Sequence, residues 1–226
     1  MLSIRHKLYD WRILRSRRFD YPIICVGNLN LGGTGKTPHT EHLIQLLKDS
    51  YRVATLSRGY GRKTKGFQQA DHQSTYETVG DEPLQYYKKF PEIQVAVDED
   101  RIEGVEKLMI GQNTPDVILL DDAFQHRKIK AGLNILLTEY QHLYCDDFLF
   151  PAGTLRDIGS AAKRADIIVV SKTPKELGEE EKQQIVNKLK PTEKQKVYFS
   201  YLEHSDLLPL NVAAKAFPLD SPRQKK

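Results

Sequence analysis

Short apolar runs rich in β-branched residues alternate along this chain with longer segments of mixed polarity. The runs predict strands, and several of the segments between them are long enough to be helices. This alternation is typical of parallel strands joined by crossover helices, and near-continuous apolar strands indicate a sheet covered on both faces. The sequence therefore predicts a doubly wound α/β fold with a mostly parallel sheet and helices on both faces. The predicted strands are 23–26, 53–56, 94–97, 117–120, 133–137, 167–170 and 197–201, and the predicted helices 39–48, 82–89, 100–109 and 176–189.

Two stretches interrupt this alternation, and the end of the chain loses it. Residues 59–78 are polar and glycine-rich, and residues 140–161 contain Pro151 and Gly153, so both are predicted to be functional loops. Periodicity disappears after about residue 205, which predicts an irregular tail over 206–226. The length of 226 residues suffices for one α/β core. We predict one domain over 19–205, preceded by a basic amphipathic helix over 1–18.

Residues 1–18 carry a local excess of positive charge, although the whole chain has a formal net charge of only +4. Apolar residues are interleaved with these charges, as in an amphipathic helix that lies on an anionic membrane surface. A helix that packs on the protein core through Leu8 and Trp11 explains the pattern equally well. No apolar run approaches the roughly 18 residues of a membrane span, so we expect any membrane contact to be peripheral. The basic residues are Arg5, Lys7, Arg12, Arg15, Arg17 and Arg18.

The composition narrows the class of protein further. Hydrophobic residues make up 39% of the chain and charged residues 28%, which is ordinary for a soluble globular protein and unlike a disordered one. Cys25 and Cys145 lie far apart and match neither a disulfide framework nor a metal-ligand spacing, as expected in a reducing cytoplasm. We expect no nucleic-acid partner.

The clearest chemical signal is a glycine-rich run between the first predicted strand and the first predicted helix. The run resembles the pattern G-x-x-x-x-G-K-[ST], which is typical of loops that wrap backbone N–H groups around phosphate oxygens. In this pattern the lysine, here Lys36, reaches the β- and γ-phosphates, and the hydroxyl of the last residue, here Thr37, binds Mg²⁺. Asn30 replaces the first glycine and tolerates a left-handed backbone. A plain turn before a helix is the alternative interpretation. The predicted phosphate-binding residues are Asn30, Leu31, Gly32, Gly33, Thr34, Gly35, Lys36 and Thr37.

Two acidic residues, Asp121 and Asp122, follow the predicted strand 117–120. A phosphate-binding loop needs an acidic partner for Mg²⁺ at the carboxyl end of a neighbouring strand. Acidic residues at a strand end are also common as helix caps or turn formers. Ligands in open α/β sheets collect at the carboxyl ends of the strands, so the sequence favours a shared crevice for these acids and the loop.

The run Gly80-Asp81-Glu82-Pro83 permits two interpretations. Asp81 as an N-cap ahead of Glu82 and Pro83 is a sound start for a helix, and this interpretation is favoured by the residues alone. The other interpretation is a carboxylate that accepts the proton of an attacking hydroxyl.

Three other loops carry residues suited to a phosphorylated ligand. Arginine pairs with phosphate oxygens bidentately, and Arg58 and Tyr60 follow the second predicted strand. An exposed basic turn explains that segment equally well. Gln125 and His126 follow the paired aspartates, and Arg156 lies on a turn after Pro151. A single histidine such as His126 is more often a local hydrogen-bonding residue than a catalytic one.

Taken in order, five motifs resemble those of the tetraacyldisaccharide 4′-kinase family. The resemblance covers about residues 2–203 and implies a P-loop kinase fold. It also implies transfer of the γ-phosphate of ATP to the 4′-hydroxyl of a lipid disaccharide 1-phosphate, at the cytoplasmic face of the bacterial inner membrane. The motifs are Val26-Gly27-Asn28 with Gly32-Gly33-Thr34-Gly35-Lys36-Thr37-Pro38, then Ser57-Arg58-Gly59-Tyr60, Gly80-Asp81-Glu82-Pro83, Asp121-Asp122-Ala123-Phe124-Gln125-His126 and Pro151-Ala152-Gly153-Thr154-Leu155-Arg156.

The resemblance also implies roles for individual residues. Lys36 and Thr37 are expected to bind ATP and Mg²⁺, and Asp121 and Asp122 to serve the metal, with Lys36 and Asp121 also catalytic. Asp81 becomes the expected catalytic base, in place of the helix-cap interpretation. The residues expected to line the substrate site are Arg58, Tyr60, Glu82, Arg101, Gln125, His126 and Arg156.

The chain also departs from the family pattern. Family members usually begin with a more hydrophobic helix and end in a smaller domain whose histidine partners the catalytic aspartate, and neither His204 nor the tail reproduces that motif. We therefore expect a truncated member. Two alternatives to a kinase stay open: a nucleotide switch, although such loops carry an extra lysine where this chain has Leu31, and a nucleotide-binding fragment without turnover.

Overall fold

The computed structural model describes residues 2–110 and 113–203. An eight-stranded sheet runs in the order β10-β9-β8-β2-β6-β3-β5-β4, and all of its neighbours are parallel except β4 and β5. A second, two-stranded sheet pairs β1 with β7. The strands are β1 Arg17–Arg18, β2 Ile23–Asn28, β3 Val53–Ser57, β4 Gln68–Gln69, β5 Gln94–Val97, β6 Val117–Asp121, β7 Ile129–Lys130, β8 Leu133–Glu139, β9 Ile167–Ser171 and β10 Lys196–Phe199.

Helices cover both faces of the large sheet because successive strand residues point to opposite sides. Ile44 and Tyr86 pack on one face with alternate residues of β3, β5 and β6, whereas Val105 and Ile185 pack on the other. The predicted doubly wound α/β fold is confirmed. The helices are α1 Leu2–Asp10, α2 Lys36–Leu47, α3 Tyr76–Val79, α4 Asp81–Lys89, α5 Arg101–Leu108 and α6 Glu179–Leu189, with 3₁₀ turns at Tyr144–Asp146 and Gly159–Arg164.

All seven predicted strands and four predicted helices are present, with shifted ends. Strands β2, β6 and β8 run further than predicted, to Asn28, Asp121 and Glu139. Parallel pairing places Val26 beside Asp121 and Asn28 beside Leu137. The carboxyl ends of these strands therefore meet at one edge of the sheet, on either side of the glycine-rich loop.

The segment 1–18 is only partly helical, which corrects the prediction of a helix through residue 18. Helix α1 ends at Asp10, and Arg12 has a left-handed φ of 61° that a continuing helix does not tolerate. Arg17 then donates its backbone N–H to the carbonyl of Lys128, at 2.7 Å, and enters the small sheet. This long-range pairing with β7 leaves no local signal in residues 1–18.

Helix α1 contacts the core through residues other than those predicted. His6 and Tyr9 are buried, whereas Trp11 is 67% exposed, so the helix packs on the protein as one of the two interpretations held, but not through Trp11. Arg127 fixes the helix by donating to the carbonyl of His6 at 3.1 Å and to the Asp10 carboxylate at 2.7 Å. The predicted tail, 206–226, and His204 lie outside the described residues. Within the part of the chain that is described, no helix is long and apolar enough to cross a membrane.

Candidate active site

The glycine-rich loop joins β2 to α2 at the carboxyl edge of the sheet. Gly35 occupies the N-cap of α2 with φ 82° and ψ 26°, a left-handed conformation that costs glycine little because it has no Cβ. The loop therefore turns sharply, and the first N–H groups of α2 have no partners within the helix. Backbone donors of this kind at a helix N-terminus favour anions such as phosphate.

Neighbouring segments hold the loop on both sides. Leu31 donates its N–H to the carbonyl of Thr154 at 2.6 Å, and the Asn30 side chain donates to the Asp147 carboxylate at 2.8 Å. On the far side, the Ser171 hydroxyl donates to the carbonyl of Thr34 at 2.8 Å. The Thr34 hydroxyl is buried without a hydrogen-bond partner among the described residues. The loop conformation thus depends on residues distant in sequence, and it contains a buried polar atom that is not yet satisfied.

A network of charges lies beside the loop, centred on Asn28 and Asp122. The Lys36 ammonium lies 3.3 Å from the Asn28 side-chain oxygen and 3.8 Å from the Asp122 carboxylate. Arg156 donates to the same Asn28 oxygen at 2.5 Å and reaches Asp122 with both terminal nitrogens, one of them at 2.9 Å. Burial raises the pKa of Asp122, but Arg156, Lys36 and Arg101 outweigh it and lower the pKa below its ordinary value. Asp122 is therefore an ionised partner for two cations.

Asp121 experiences the opposite environment. Its carboxylate is buried, and it accepts hydrogen bonds from the Tyr86 hydroxyl at 2.8 Å and the Thr40 hydroxyl at 3.4 Å. Burial raises the pKa of Asp121 to about 6, assisted by the charges of Asp122 and Glu82 and opposed by the Tyr86 hydrogen bond. Two adjacent carboxyl groups thus have separate pKa values, which suits separate roles.

Of the three predicted metal ligands, Asp122 pairs with Lys36 and Arg156, whereas Thr37 and Asp121 provide a donor set that fits Mg²⁺. Both side chains interact with the Tyr86 hydroxyl, so they lie close together at the start of α2. No three His, Cys, Asp or Glu side chains of the described chain cluster closely enough to hold a metal ion alone. Mg²⁺ needs few protein ligands, because it keeps several waters and binds substrate phosphates as well. One carboxylate and one hydroxyl beside a phosphate-binding loop are therefore sufficient.

The predicted substrate-lining residues all border one cleft of about 360 Å³ at this edge of the sheet. Asp121 and Asp122 form part of the same lining, next to the Lys36 ammonium. The sequence prediction thus assembled residues from five separate segments, and the structure brings them together. The seven are Arg58, Tyr60, Glu82, Arg101, Gln125, His126 and Arg156.

Arg101 and His126 are the most perturbed of these residues. Burial lowers the pKa of Arg101 to about 10, yet its guanidinium remains charged at neutral pH. Its Nε atom is buried without a hydrogen-bond partner in the described structure, while one terminal nitrogen donates to the carbonyl of Asp98 at 2.5 Å. Burial, with the nearby Arg101 charge, lowers the pKa of His126 to about 4, so this imidazole is neutral at pH 7. The cleft therefore offers an incompletely satisfied cation and a neutral histidine to an anionic ligand.

The structure separates Asp81 from the cleft that Glu82 lines. Asp81 is exposed and borders a second groove with residues of α4, including Gln85 and Lys88. The N-cap of α4 is Gly80, without a side-chain cap, so the interpretation of Asp81 as the N-cap is wrong. A Cβ at Gly80 would lie 3.0 Å from the carbonyl oxygen of Tyr60, and this close approach keeps the start of α4 beside the loop that follows β3.

The sequence analysis assigned no role to three residues of the site, although Asn28 belongs to one of the family motifs. Asn28 accepts hydrogen bonds from Lys36 and Arg156, and its backbone carbonyl accepts another from Gln125 at 2.6 Å. Tyr86 and Thr40 hold Asp121. Asn28 could have been predicted, because it is a polar residue that ends an apolar strand just before the loop. Tyr86 and Thr40 have only the sequence pattern of ordinary helix residues.

The fold and the loop together define the class of protein. A parallel α/β sheet with a glycine-rich loop between β2 and α2, and acidic residues at the end of the adjacent strand β6, is the P-loop fold. The chain belongs to the tetraacyldisaccharide-1-P 4′-kinase family, because the sequence model of that family matches residues 1–218.

Relatives and a solved structure agree with this membership. The tetraacyldisaccharide 4′-kinase of Flavobacterium johnsoniae is 55% identical over 202 residues, which are 89% of this chain and 59% of that protein. The enzyme of the same name from Bacteroides thetaiotaomicron is 48% identical over 217 residues, or 96% of this chain and 57% of that protein. The chain thus spans about three-fifths of the length of these relatives. A crystal structure of LpxK from Aquifex aeolicus in complex with ATP is similar, with a TM-score of 0.69 and 31% identity, covering 92% of this chain and 80% of that one.

Proposed function

We propose that this chain is an ATP-dependent lipid kinase that transfers the γ-phosphate to the 4′-hydroxyl of a tetraacyldisaccharide 1-phosphate, a step of lipid A biosynthesis. The names of its family and relatives support the reaction. One observation on this chain carries the proposal: Lys36 and Arg156 both contact the Asn28 side-chain oxygen at the mouth of the glycine-rich loop, and both also pair with Asp122. Such a cluster provides positive charge where a transferred phosphoryl group develops negative charge.

Each residue of the cluster has a role in this proposal. The loop 30–37 holds the phosphates of ATP through backbone N–H groups, and Lys36 neutralises charge on the β- and γ-phosphates. Thr37 and Asp121 hold Mg²⁺, which when bound supplies further positive charge to the phosphates. Asp122 keeps Lys36 and Arg156 oriented, because it contacts both cations. The A. aeolicus relative was crystallised with ATP, which supports the choice of nucleotide.

In this proposal the rest of the cleft binds the phosphate acceptor, the lipid disaccharide. Arg58 and Arg101 supply cationic groups for a phosphorylated sugar, with Arg101 carrying a buried unsatisfied Nε atom. We propose Asp81 as the acceptor of the hydroxyl proton, as the family resemblance implies. Asp81 borders a neighbouring groove and is the first residue of α4, directly before Glu82, which lines the cleft.

The lipid substrate also motivates a proposed location at the cytoplasmic face of the inner membrane. The segment 1–18 presents basic residues to solvent together with exposed apolar residues such as Ile4 and Trp11. Basic and apolar side chains on one surface favour contact with anionic lipid bilayers. We therefore propose that the chain is a peripheral protein on an anionic membrane surface.

A phosphate-transfer assay tests the kinase proposal directly. The purified chain is incubated with ATP, Mg²⁺ and a tetraacyldisaccharide 1-phosphate in detergent, and the product is analysed by mass spectrometry. We expect the lipid to gain one phosphate, and isothermal titration calorimetry to detect ATP binding in the same preparation. Nucleotide binding without any phosphorylated lipid would contradict the kinase proposal and favour a nucleotide-binding protein without turnover.

A further inference from the structure

A groove of about 760 Å³ lies at the amino edge of the large sheet, opposite the edge that carries the glycine-rich loop. Arg12, Leu14 and Arg15 line one side, and Ile129 and Lys130 line the other. Hydrogen bonds join the two sides, since the Ser16 hydroxyl donates to the carbonyl of Arg127 at 2.6 Å and the strand β1 pairs with β7. The groove is therefore part of the folded structure and separate from the proposed kinase cleft.

The groove has an excess of unpaired positive charge. Two of its arginines are neutralised, because Arg127 pairs with Asp10 at 2.7 Å and Arg164 with Asp157 at 3.4 Å. The remaining three cations have no hydrogen-bond or ion-pair partner among residues 2–110 and 113–203. Like charges held around one concave surface repel each other, and an anionic ligand relieves that repulsion. The three are Arg12, Arg15 and Lys130.

Exposed apolar residues adjoin these cations along the chain. Trp11 is 67% exposed and Ile13 is 64% exposed, on either side of Arg12. Leu14, which lines the groove, is 39% exposed. A small inorganic anion has no use for these side chains, whereas the interfacial region of a bilayer accommodates them next to charged headgroups. The combination indicates an amphiphilic ligand with an anionic end.

We propose that this groove binds the phosphate-bearing headgroup of an anionic membrane lipid, while Trp11 and Ile13 enter the interfacial region of the bilayer. Arg12 and Arg15 donate charge-assisted hydrogen bonds to the phosphate oxygens, and Lys130 adds a point charge from the opposite wall. The inference rests on the proposed contact of segment 1–18 with an anionic membrane and adds a defined headgroup site to it. ATP and the kinase cleft take no part.

Two triple variants of the full chain test the groove against general surface charge. The groove variant is Arg12→Gln, Arg15→Gln and Lys130→Gln. The matched control removes the same charge from exposed positions that do not line the groove: Lys7→Gln, Arg18→Gln and Lys128→Gln. Binding is measured by sedimentation and by Trp11 fluorescence, with vesicles of phosphatidylcholine alone and of equal parts phosphatidylcholine and phosphatidylglycerol. Trp11 is the only tryptophan, so its emission reports this segment alone.

We expect the wild-type chain to bind the phosphatidylglycerol vesicles and not those of phosphatidylcholine alone. A membrane-bound cation contributes about fivefold to partition, so the groove variant should lose on the order of 100-fold and the control at most about tenfold. Equal losses in the two variants would assign binding to diffuse surface charge and overturn the groove. A failure of the wild-type chain to bind at all would overturn the membrane contact as well, but would leave the kinase proposal untouched.

Two further measurements complete the test. Thermal unfolding of both triple variants checks that they are folded; if the groove variant melts early, the double variants Arg12→Gln with Arg15→Gln and Lys7→Gln with Arg18→Gln provide the same comparison at exposed positions. Titration of the wild-type chain with inorganic phosphate without vesicles should give no saturable change in Trp11 emission. Saturable phosphate binding, together with equal losses of vesicle binding in the two triple variants, would assign the groove to free phosphate and overturn the proposed lipid headgroup site.

Discussion

The two edges of the large sheet differ in how their cations are compensated. At the carboxyl edge, Lys36 and Arg156 share Asn28 and Asp122 at hydrogen-bonding or ion-pair distances. At the amino edge, Arg12, Arg15 and Lys130 face solvent without partners in the described chain. The difference teaches that the number of basic residues does not define a reaction site, because both edges are rich in them. What distinguishes the carboxyl edge is that acids and amides hold its cations in place.

This difference has its origin in the topology. In a parallel sheet the strand ends and the N-termini of the following helices meet at the carboxyl edge, so unsatisfied backbone donors and strand-end side chains accumulate there. The amino edge collects helix ends and connecting segments instead. A cation at the carboxyl edge can thus be positioned from several elements at once, which preorganised charge requires.

The variant with the largest expected effect tests whether the proposed reaction at the carboxyl edge uses a residue outside the cleft. Asp81→Asn should lower phosphate transfer by roughly 10²- to 10⁴-fold if Asp81 accepts the hydroxyl proton. Stability should change by less than about 1 kcal/mol, since Asp81 does not cap α4. Steady-state kinetics and thermal unfolding measure the two quantities. The matched control Glu82→Gln should have the smaller kinetic effect, and the reverse order would transfer the role of base to Glu82 in the cleft.

The second prediction compares one lysine from each edge. Lys36→Ala should lower phosphate transfer on the order of 10²- to 10³-fold, because its ammonium belongs to the preorganised cluster at Asn28. Lys196→Ala, at the exposed start of β10, should leave transfer unchanged. Both variants are assayed in detergent with saturating ATP. Similar rates for the two would break the distinction between the edges.

The third prediction concerns stability within the carboxyl edge at pH 7. Asp121→Asn should raise the free energy of unfolding by about 2–3 kcal/mol, because a carboxyl group whose pKa is raised to about 6 is ionised there at a desolvation cost. Asp122→Asn should lower it by about 1 kcal/mol, since Lys36 and Arg156 lose a partly exposed partner. Urea unfolding without nucleotide measures both. The same sign for the two variants would contradict the proposed division of their environments.

The last prediction concerns the pH dependence of the Asp121 contribution, which is at most as large as the effect of Asp121→Asn at pH 7. A raised pKa means that the native state binds more protons than the unfolded state between 3.8, the ordinary value, and about 6. Stability from this group therefore falls as the pH rises through that window. The difference in unfolding free energy between Asp121→Asn and the wild type should be near zero at the acidic end of this pH window. It should reach its plateau at pH values above the window. A difference that stays constant with pH would exclude Asp121 as its source.

Sequence patterns predicted the sheet, and the patterns together with the family resemblance predicted the residues of the cleft, for identifiable reasons. Strands such as β6 are continuous apolar runs, and chemistry-bearing residues follow them at the edge where parallel strands converge. Other features depend on contacts that no local pattern records. Tyr86 meets Asp121 only because α4 packs on the sheet beside β5, and two neighbouring acids at the start of α4 give no sign of which one faces the cleft. The end of α1 depends on strand pairing with β7, more than a hundred residues away.

Asp122 has a φ of 50°, and this backbone angle limits which amino acids its position can tolerate. A left-handed backbone conformation costs little energy for glycine, asparagine or aspartate and more for most other amino acids. The two cations beside Asp122 demand a negative charge, which glycine and asparagine lack. Glutamate restores the charge but not the backbone preference. The two requirements are independent, and aspartate is the amino acid that meets both. Almost every substitution at this position should therefore have a cost, even though the side chain is only partly buried.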